Sequence, residues 1–346
     1  MPASFQVPIA FGGQQPAIRS YRAETTPLWR THLVPCNLCG ATDFVEIYPS
    51  SLPTARDRQL DELCACTSSA YGICEAIMRC RQCGLVCQNP QPQPDDLLSA
   101  YTSVVDGRYD EEREGRIHTF RQSLKELEAH AQPGRLLDIG CHLGFFLEVA
   151  TGGGWNAQGV EPSRWAAETA RRRGLPVRRG TLDDWEEPVE PFDAVTLWDV
   201  IEHLADPAAV LRQIQAFLRP GGVLALSTMD VDAPVAKLLG RRWPWYMQMH
   251  LYYFSRRTLR ALVEQAGYEV LEIRRHRRVV RTAYLASRLE RWLGRWHQVP
   301  VRALEMLGLA DRLVGIDLGD IVTLYARKPL AVGMGTRQNG HVKTRE

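Results

Sequence analysis

From Gly134 onward, short apolar runs of strand length alternate with amphipathic stretches of helical period, the pattern of βαβ units wound around a parallel sheet. The runs predict strands at Arg135–Ile139, Asn156–Val160, Val177–Arg179, Ala194–Trp198, Gly222–Thr228, Tyr268–Arg274 and Ile321–Arg327. Seven strands fit one α/β domain. Upstream, Leu97, Leu98 and Tyr101, then Phe120, Leu124 and Leu127, recur at spacings of three and four, which predicts linker helices over 95–131. A long insert, 275–319, separates the last two strands; within it Leu285, Leu289, Trp292 and Trp296 oppose Arg288, Arg291 and Arg295, so a helix is expected over Ala283–Trp296.

These elements divide the chain. Residues 1–30, rich in Gln, Pro, Ser and Thr without apolar period, read as a flexible leader; 31–94 as a cysteine module closing on Asn89-Pro90-Gln91-Pro92-Gln93-Pro94; 132–328 as the main domain; and 329–346 as a polar, disordered tail. The net charge of +2 adds little, because only four of the 42 cationic residues are lysine, a compositional habit and no nucleic-acid footprint. No apolar run reaches the ~18–20 residues of a membrane span, and Met1 to Gln15 lacks the layout of a secretory signal, so a cytoplasmic location is expected. Reduced cysteines follow from that. Eight of the nine fall between Cys36 and Cys87, which points to a metal before disulfides.

The first strand of the main domain ends Asp138-Ile139-Gly140-Cys141-His142-Leu143-Gly144, an acid followed by two glycines that let backbone approach a ligand before the next helix. A nicotinamide site would show Gly-x-Gly-x-x-Gly to seat a pyrophosphate. Here the middle glycine is missing and Asp138 precedes the turn, which suits S-adenosylmethionine, a cationic cofactor without phosphate. The second strand ends Val160-Glu161-Pro162, placing a carboxylate 23 residues after Asp138 where it can accept both ribose hydroxyls. Gly180-Thr181-Leu182-Asp183 follows the third strand at the expected adenine edge, and the fourth ends Trp198-Asp199-Val200-Ile201-Glu202-His203. Blander roles stand beside these: Gly140 and Gly144 as turn formers, Glu161 or Asp183 as helix caps, Asp199 as a solvated strand-end acid, Cys141 as a packing residue.

With these motifs, and with Leu218-Arg219-Pro220-Gly221-Gly222 and His250-Leu251-Tyr252-Tyr253-Phe254-Ser255, the stretch from about Gly134 to Leu271 resembles class I methyltransferases, the group that includes ubiquinone-biosynthesis O-methyltransferases and bacterial polysaccharide and secondary-metabolite methyltransferases. The resemblance implies a Rossmann-like seven-stranded sheet, S-adenosylmethionine as cofactor, and cofactor-facing roles for Asp138, Gly140 and Glu161. It names no acceptor.

Cys36-Asn37-Leu38-Cys39-Gly40 and Cys80-Arg81-Gln82-Cys83-Gly84 are two Cys-x-x-Cys knuckles, each followed by a glycine that lets amides curl toward the sulfurs. Four thiolates complete a tetrahedral zinc, leaving no open position, so the metal is expected to be structural. Cys64, Cys66, Cys74 and Cys87 are left as buried thiols or further ligands. A similar zinc-binding segment precedes the catalytic domain of nucleotide-sugar C-methyltransferases, which this chain also resembles; they carry a further α/β domain where this chain has only the insert.

Methyl transfer to oxygen or carbon needs a proton removed, and His203, with Glu202 beside it, and His250 fall where this fold places the acceptor. The acceptor is expected to be a small molecule or a sugar- or lipid-linked intermediate. The stretch Arg274 to Arg302, nine arginines against Glu290 alone, reads as a solvated face or as a basic surface for a phosphorylated acceptor or a membrane. Two other classes stand as alternatives: an RNA methyltransferase gripping RNA through the ribbon, which the absence of lysine from Cys36 to Cys83 disfavours, and a non-catalytic S-adenosylmethionine-binding protein.

Overall fold

A computed structural model describes residues 30–52, 72–185, 190–288, 296 and 298–330. In chain order, the cysteine module contributes β1 (Thr31–His32), β2 (Phe44–Tyr48), β3 (Ile77–Cys80), β4 (Val86–Gln88) and β5 (Gln91–Pro92). Three helices follow: α1 (Pro94–Ser103), α2 (Arg108–Glu111) and α3 (Arg113–Leu127). The main domain then runs β6 (Arg135–Ile139), α4 (Phe145–Gly152), β7 (Asn156–Glu161), α5 (Arg164–Arg172), β8 (Val177–Arg179), β9 (Phe192–Trp198), α6 (Pro207–Phe217) and β10 (Leu218–Met229). It continues through α7 (Pro234–Leu239), β11 (Tyr252–Tyr253), α8 (Arg256–Gln265) and β12 (Glu269–Arg275), then the insert and β15 (Ile321–Arg327).

Seven strands form the central sheet in the order β12-β15-β10-β9-β6-β7-β8. β6 to β10 run parallel, whereas β15 slots antiparallel between β10 and β12. Strand alternation gives the sheet two apolar faces. Leu136, Ala194, Val223 and Ala225 pack on one side against Leu124 and Leu127 of α3, while Leu137, Val195, Leu224 and Leu226 pack on the other against Leu211, Ile214 and Phe217 of α6. Helix starts are written locally: the Asp206 carboxylate caps α6 by accepting from the Ala209 amide, and Ser255 caps α8 by accepting from Thr258.

The cysteine module is not a separate bead. Its strands β2, β3 and β4 form a four-stranded sheet whose fourth member is β11, supplied by the main domain through the register Tyr252↔Cys87 and Tyr253↔Val86. Cys36, Leu38, Cys80 and Leu85 also join the apolar cluster on the α6 face of the central sheet.

The insert differs from the expected single helix. It opens with β13 (Arg278–Arg281), whose Val279-Val280 pair favours extended chain, followed by α9 (Thr282–Ser287), α10 (Gln298–Met306) and β14 (Leu313–Ile316), which pairs antiparallel with β13. Leu289, Arg291, Trp292 and Arg295 of the expected stripe lie outside the described residues, while Leu285 and Trp296 are exposed. β13 docks on α3. There the Val279 amide donates to Thr119 Oγ1 at 2.9 Å, and a Cβ on Gly115 would sit 2.5 Å from the Val279 carbonyl oxygen, so only glycine admits the approach.

Candidate active site

The loop after β6 is shaped by its backbone. Gly140 takes φ 69°, and a Cβ there would lie 2.7 Å from Val200 Cγ2; the Gly140 and Cys141 amides both donate to the Val160 carbonyl. This leaves Gly140 on the wall of a cavity of about 760 Å³ that also takes in Glu161, Pro162, Asp183, Trp198, Asp199, Glu202, His203 and His250. Nine of the twelve candidates outside the Cys-x-x-Cys knuckles thus converge on one space, although they come from the ends of β6, β7 and β9, the turn after β8, and the loop before β11. Asp138, Cys141 and Gly144 do not line it. Cys141 packs against Gly159, whose added Cβ would meet its Sγ at 2.4 Å; Gly144, at φ 77°, starts α4 against Leu175; Asp138 stands behind the wall and accepts from Thr196 Oγ1 at 2.6 Å.

Glu161 is buried at the tip of β7. One of its oxygens accepts from the His142 amide and the other from the Ser163 amide, both at 2.8 Å, fixing the carboxylate plane. Burial still raises its pKa to about 7. Burial and then the nearby Glu161 push Asp138 to about 8. The helix-cap role weighed for Asp183 falls to its neighbour, since Asp184 accepts from the Thr181 amide at 2.7 Å in a capping box, whereas Asp183 accepts only from Gln213 Nε2 at 3.2 Å.

At the far end of the cavity, His203 Nδ1 lies 2.9 Å from the Met249 carbonyl oxygen, and His250 Nδ1 lies 2.8 Å from that of Trp245. A carbonyl oxygen only accepts, so both Nδ1 atoms carry the proton and both Nε2 atoms keep a lone pair. Tyr101 OH, from α1, reaches His203 Nδ1 at 2.8 Å and donates to Met249 O at 3.3 Å. Burial lowers the His203 pKa to about 4 and, with His203 adjacent, lowers that of His250 further. Glu202 is fully buried, with Thr228 as its neighbouring hydroxyl, and its Oε1 is 4.0 Å from His203 Nε2. Burial, then the Asp199 charge, raises its pKa to about 8. Glu202, His203 and His250 each offer one ligand atom within 4.8 Å of the others.

Asp199 takes φ 55°, accepts from Ser227 Oγ at 2.8 Å and pairs with Arg278 of the insert. Burial would raise its pKa, but Arg278 and then His276 outweigh it and hold Asp199 at about 2. Sequence reasoning passed over Arg278, Tyr101, Arg116 and Tyr284, which also line the cavity. Arg278 sat in a run of similar arginines; Tyr101 carried only a helical-packing signal.

In the cysteine module, Cys36 Sγ lies 3.3 Å from Cys83 Sγ, Cys39 Sγ lies 3.5 Å from Cys80 Sγ, and all four are within 4.8 Å of one another. Gly40 and Gly84, at φ 73° and 81°, turn each knuckle back on itself, and the Leu85 amide points to Cys83 Sγ at 3.5 Å. The thiols diverge: the Cys83 and Gln82 amides bring Cys80 down to about 7 against its burial, whereas burial pushes Cys36 and Cys83 up. The donor set and its closeness fit a tetrahedral soft-metal site. Cys87 is buried beside the knuckles, Cys74 is buried in another cluster with Tyr253, and Cys64 and Cys66 lie outside the described residues.

Residues 109–273 match the family model described as a methyltransferase domain. Among curated proteins, the chain is 33% identical over 124 residues to a ubiquinone biosynthesis O-methyltransferase of Bradyrhizobium, covering 34% of this chain and 48% of that protein. It is 32% identical over 107 residues to the protein of the same name from Actinobacillus pleuropneumoniae, covering 28% of this chain and 46% of the other. The chain spans about half the length of the curated relatives it matches. A solved S-adenosylmethionine-dependent methyltransferase from Thermotoga maritima is 22% identical with a TM-score of 0.42, covering 62% of this chain and 91% of that one. The methyltransferase-domain match thus takes in just under half of the chain, from α2 to β12.

Proposed function

We propose that the protein is an S-adenosylmethionine-dependent methyltransferase acting on an oxygen or carbon of a small-molecule or sugar- or lipid-linked acceptor. The observation that carries this reading is the single cavity joining Glu161 and Gly140 at one end to His203 and His250 at the other. Glu161 would accept the ribose hydroxyls, Gly140 admit the cofactor against backbone, and Asp183 meet the adenine edge. When bound, S-adenosylmethionine supplies an electrophilic methyl on a sulfonium. The walls align the acceptor with that carbon, and His203 Nε2 receives the acceptor's proton while the ionised Asp199 favours the charged ring and Glu202 stands beside it. The test is calorimetric titration with S-adenosylmethionine, followed by release of S-adenosylhomocysteine on incubation with candidate acceptors.

A second reading of the acceptor end is supported by the closeness of Glu202, His203 and His250, which together offer the ligands of a divalent cation that would polarise the acceptor. Loss of turnover on dialysis against chelator, restored by a divalent cation, would select it over proton removal by His203.

Zinc on Cys36, Cys39, Cys80 and Cys83 completes the reading as a structural metal. Among the described residues no helix is long and apolar enough to cross a membrane. The basic insert, with exposed Trp296, Val299 and Met306, supports contact with an anionic surface.

A further inference from the structure

The two histidines are held by one loop, and the cysteine module holds that loop. Trp245 and Met249 turn their carbonyls toward His250 and His203. The intervening and following carbonyls, those of Met247, Gln248 and His250, face the other way and meet one side chain, Gln88 of β4. Its Nε2 lies 2.9, 3.1 and 2.6 Å from the three oxygens. Gln88 is fully buried, and its Oε1 accepts from the Glu75 amide at 3.0 Å, so the amide orientation is fixed. Its own backbone amide donates to the Leu251 carbonyl at 2.8 Å, and the Leu251 amide donates to Glu202 O at 2.8 Å. One turn upstream, Cys80 and Cys83 set the entry into β4.

We propose that Gln88 is a positioning residue for the acceptor end of the cavity: by gathering three carbonyls of the 247–250 loop it aims those of Trp245 and Met249, which fix the Nδ1–H tautomer of His250 and His203. The metal-holding module is then a structural part of the acceptor site. Without the two donors of Gln88, the Gln248 and His250 carbonyls lose the partner that holds them, while the Met247 carbonyl keeps the His250 amide and the Tyr253 hydroxyl, and the loop relaxes to find others. The Nδ1 protons of both histidines then lose their fixed acceptors, and Nε2 no longer presents a lone pair in every molecule.

This inference rests on the placing of His203 and His250 at the acceptor end, but its test does not need the acceptor. Long-range proton–nitrogen NMR of the full chain labelled in histidine, assigned with His203→Gln and His250→Gln, reads the tautomer of each ring. The wild type should show the Nδ1–H form for both. Gln88→Met, close in shape and without polar atoms, should add the second tautomer or exchange broadening at both rings, with zinc content unchanged and S-adenosylmethionine affinity within about twofold. Ile77→Val, which weakens packing in the same module without touching the loop, should leave both rings as they were. If Gln88→Met fails to fold, the same spectrum is recorded on wild type after graded removal of zinc, where the second tautomer should grow as metal is lost. Unchanged rings in folded Gln88→Met, or in zinc-stripped wild type, overturn the proposal. A wild type that binds no S-adenosylmethionine overturns the functional reading instead, and the spectra still decide the role of Gln88.

Discussion

His203 Nδ1 sits 2.9 Å from the carbonyl oxygen of Met249, 46 residues further along the chain, and this bond decides which nitrogen of the ring faces the cavity. With Nδ1 protonated, Nε2 is free to receive a proton. General-base loss costs ~10²–10⁴ in rate. His203→Ala should therefore lose turnover by that order on a methylated acceptor while binding S-adenosylmethionine within about twofold of wild type. Full turnover in the variant would place the base elsewhere.

Removal of Asp199 tests the insert. Its carboxylate holds Arg278 beside the cavity, and Arg278 in turn lies over the Trp245 ring at 5.1 Å. Asp199→Asn leaves an acceptor for Ser227 but weakens the grip on Arg278, so KM for the acceptor should rise several-fold with S-adenosylmethionine affinity changed less. Steady-state kinetics separate the two.

Buried acids set a pH dependence of stability. Asp138, at about 8, holds its proton in the fold at pH values where the unfolded chain, near about 3.9 for Asp, has lost it. These acids bind more protons in the fold, but the buried histidines, lowered below their unfolded value of about 6.5, act in the opposite sense up to that pH. Stability therefore falls as pH rises from about 6.5 to about 8, where Glu161 at about 7 and Glu202 at about 8 add to the slope. Thermal melts of the ligand-free protein should drop across this range. Asp138→Asn, which can still accept from Thr196, should flatten the decline; an unchanged slope would show that Asp138 is ionised in the fold.

Metal analysis addresses the knuckles. Protein purified without chelator should carry one zinc per chain, and Cys80→Ser should lose most of it. Because β11 of the main domain closes the module's sheet, the loss should also disturb the loop at Met247–His250. Stoichiometric zinc in Cys80→Ser would contradict the ligand set.

Much of this architecture was legible because local pattern wrote it. Most of the seven central strands are apolar runs, and all seven appear within a few residues of where the pattern put them, even Val177–Arg179 with its two arginines. The antiparallel insertion of β15 between β10 and β12 was not legible, since strand order depends on tertiary packing that no local period records. β11 was missed for a related reason. Two residues, Tyr252 and Tyr253, are too short for a periodic signal, and their partner β4 lies some 165 residues upstream. In the site, the places of Glu161 and Gly140 on the cavity wall were readable because they follow from a strand end and a turn. Asp138 shared that signal, yet its side chain points to Thr196 behind the wall. The contacts of His203 with Met249 and Tyr101 come from chain segments that meet only in the fold.

Glu161 is proposed to receive the ribose of S-adenosylmethionine in this cavity. Calorimetric titration of wild type, Glu161→Gln and Glu161→Ala at pH 8, where the carboxylate is largely ionised, tests it directly. Loss of two charge-assisted bonds corresponds to ~1.5–3 kcal/mol. Affinity should therefore fall roughly tenfold to a hundredfold in Glu161→Ala and less in Glu161→Gln, which keeps one acceptor oxygen. Equal affinity in all three, or no binding by the wild type, would contradict it.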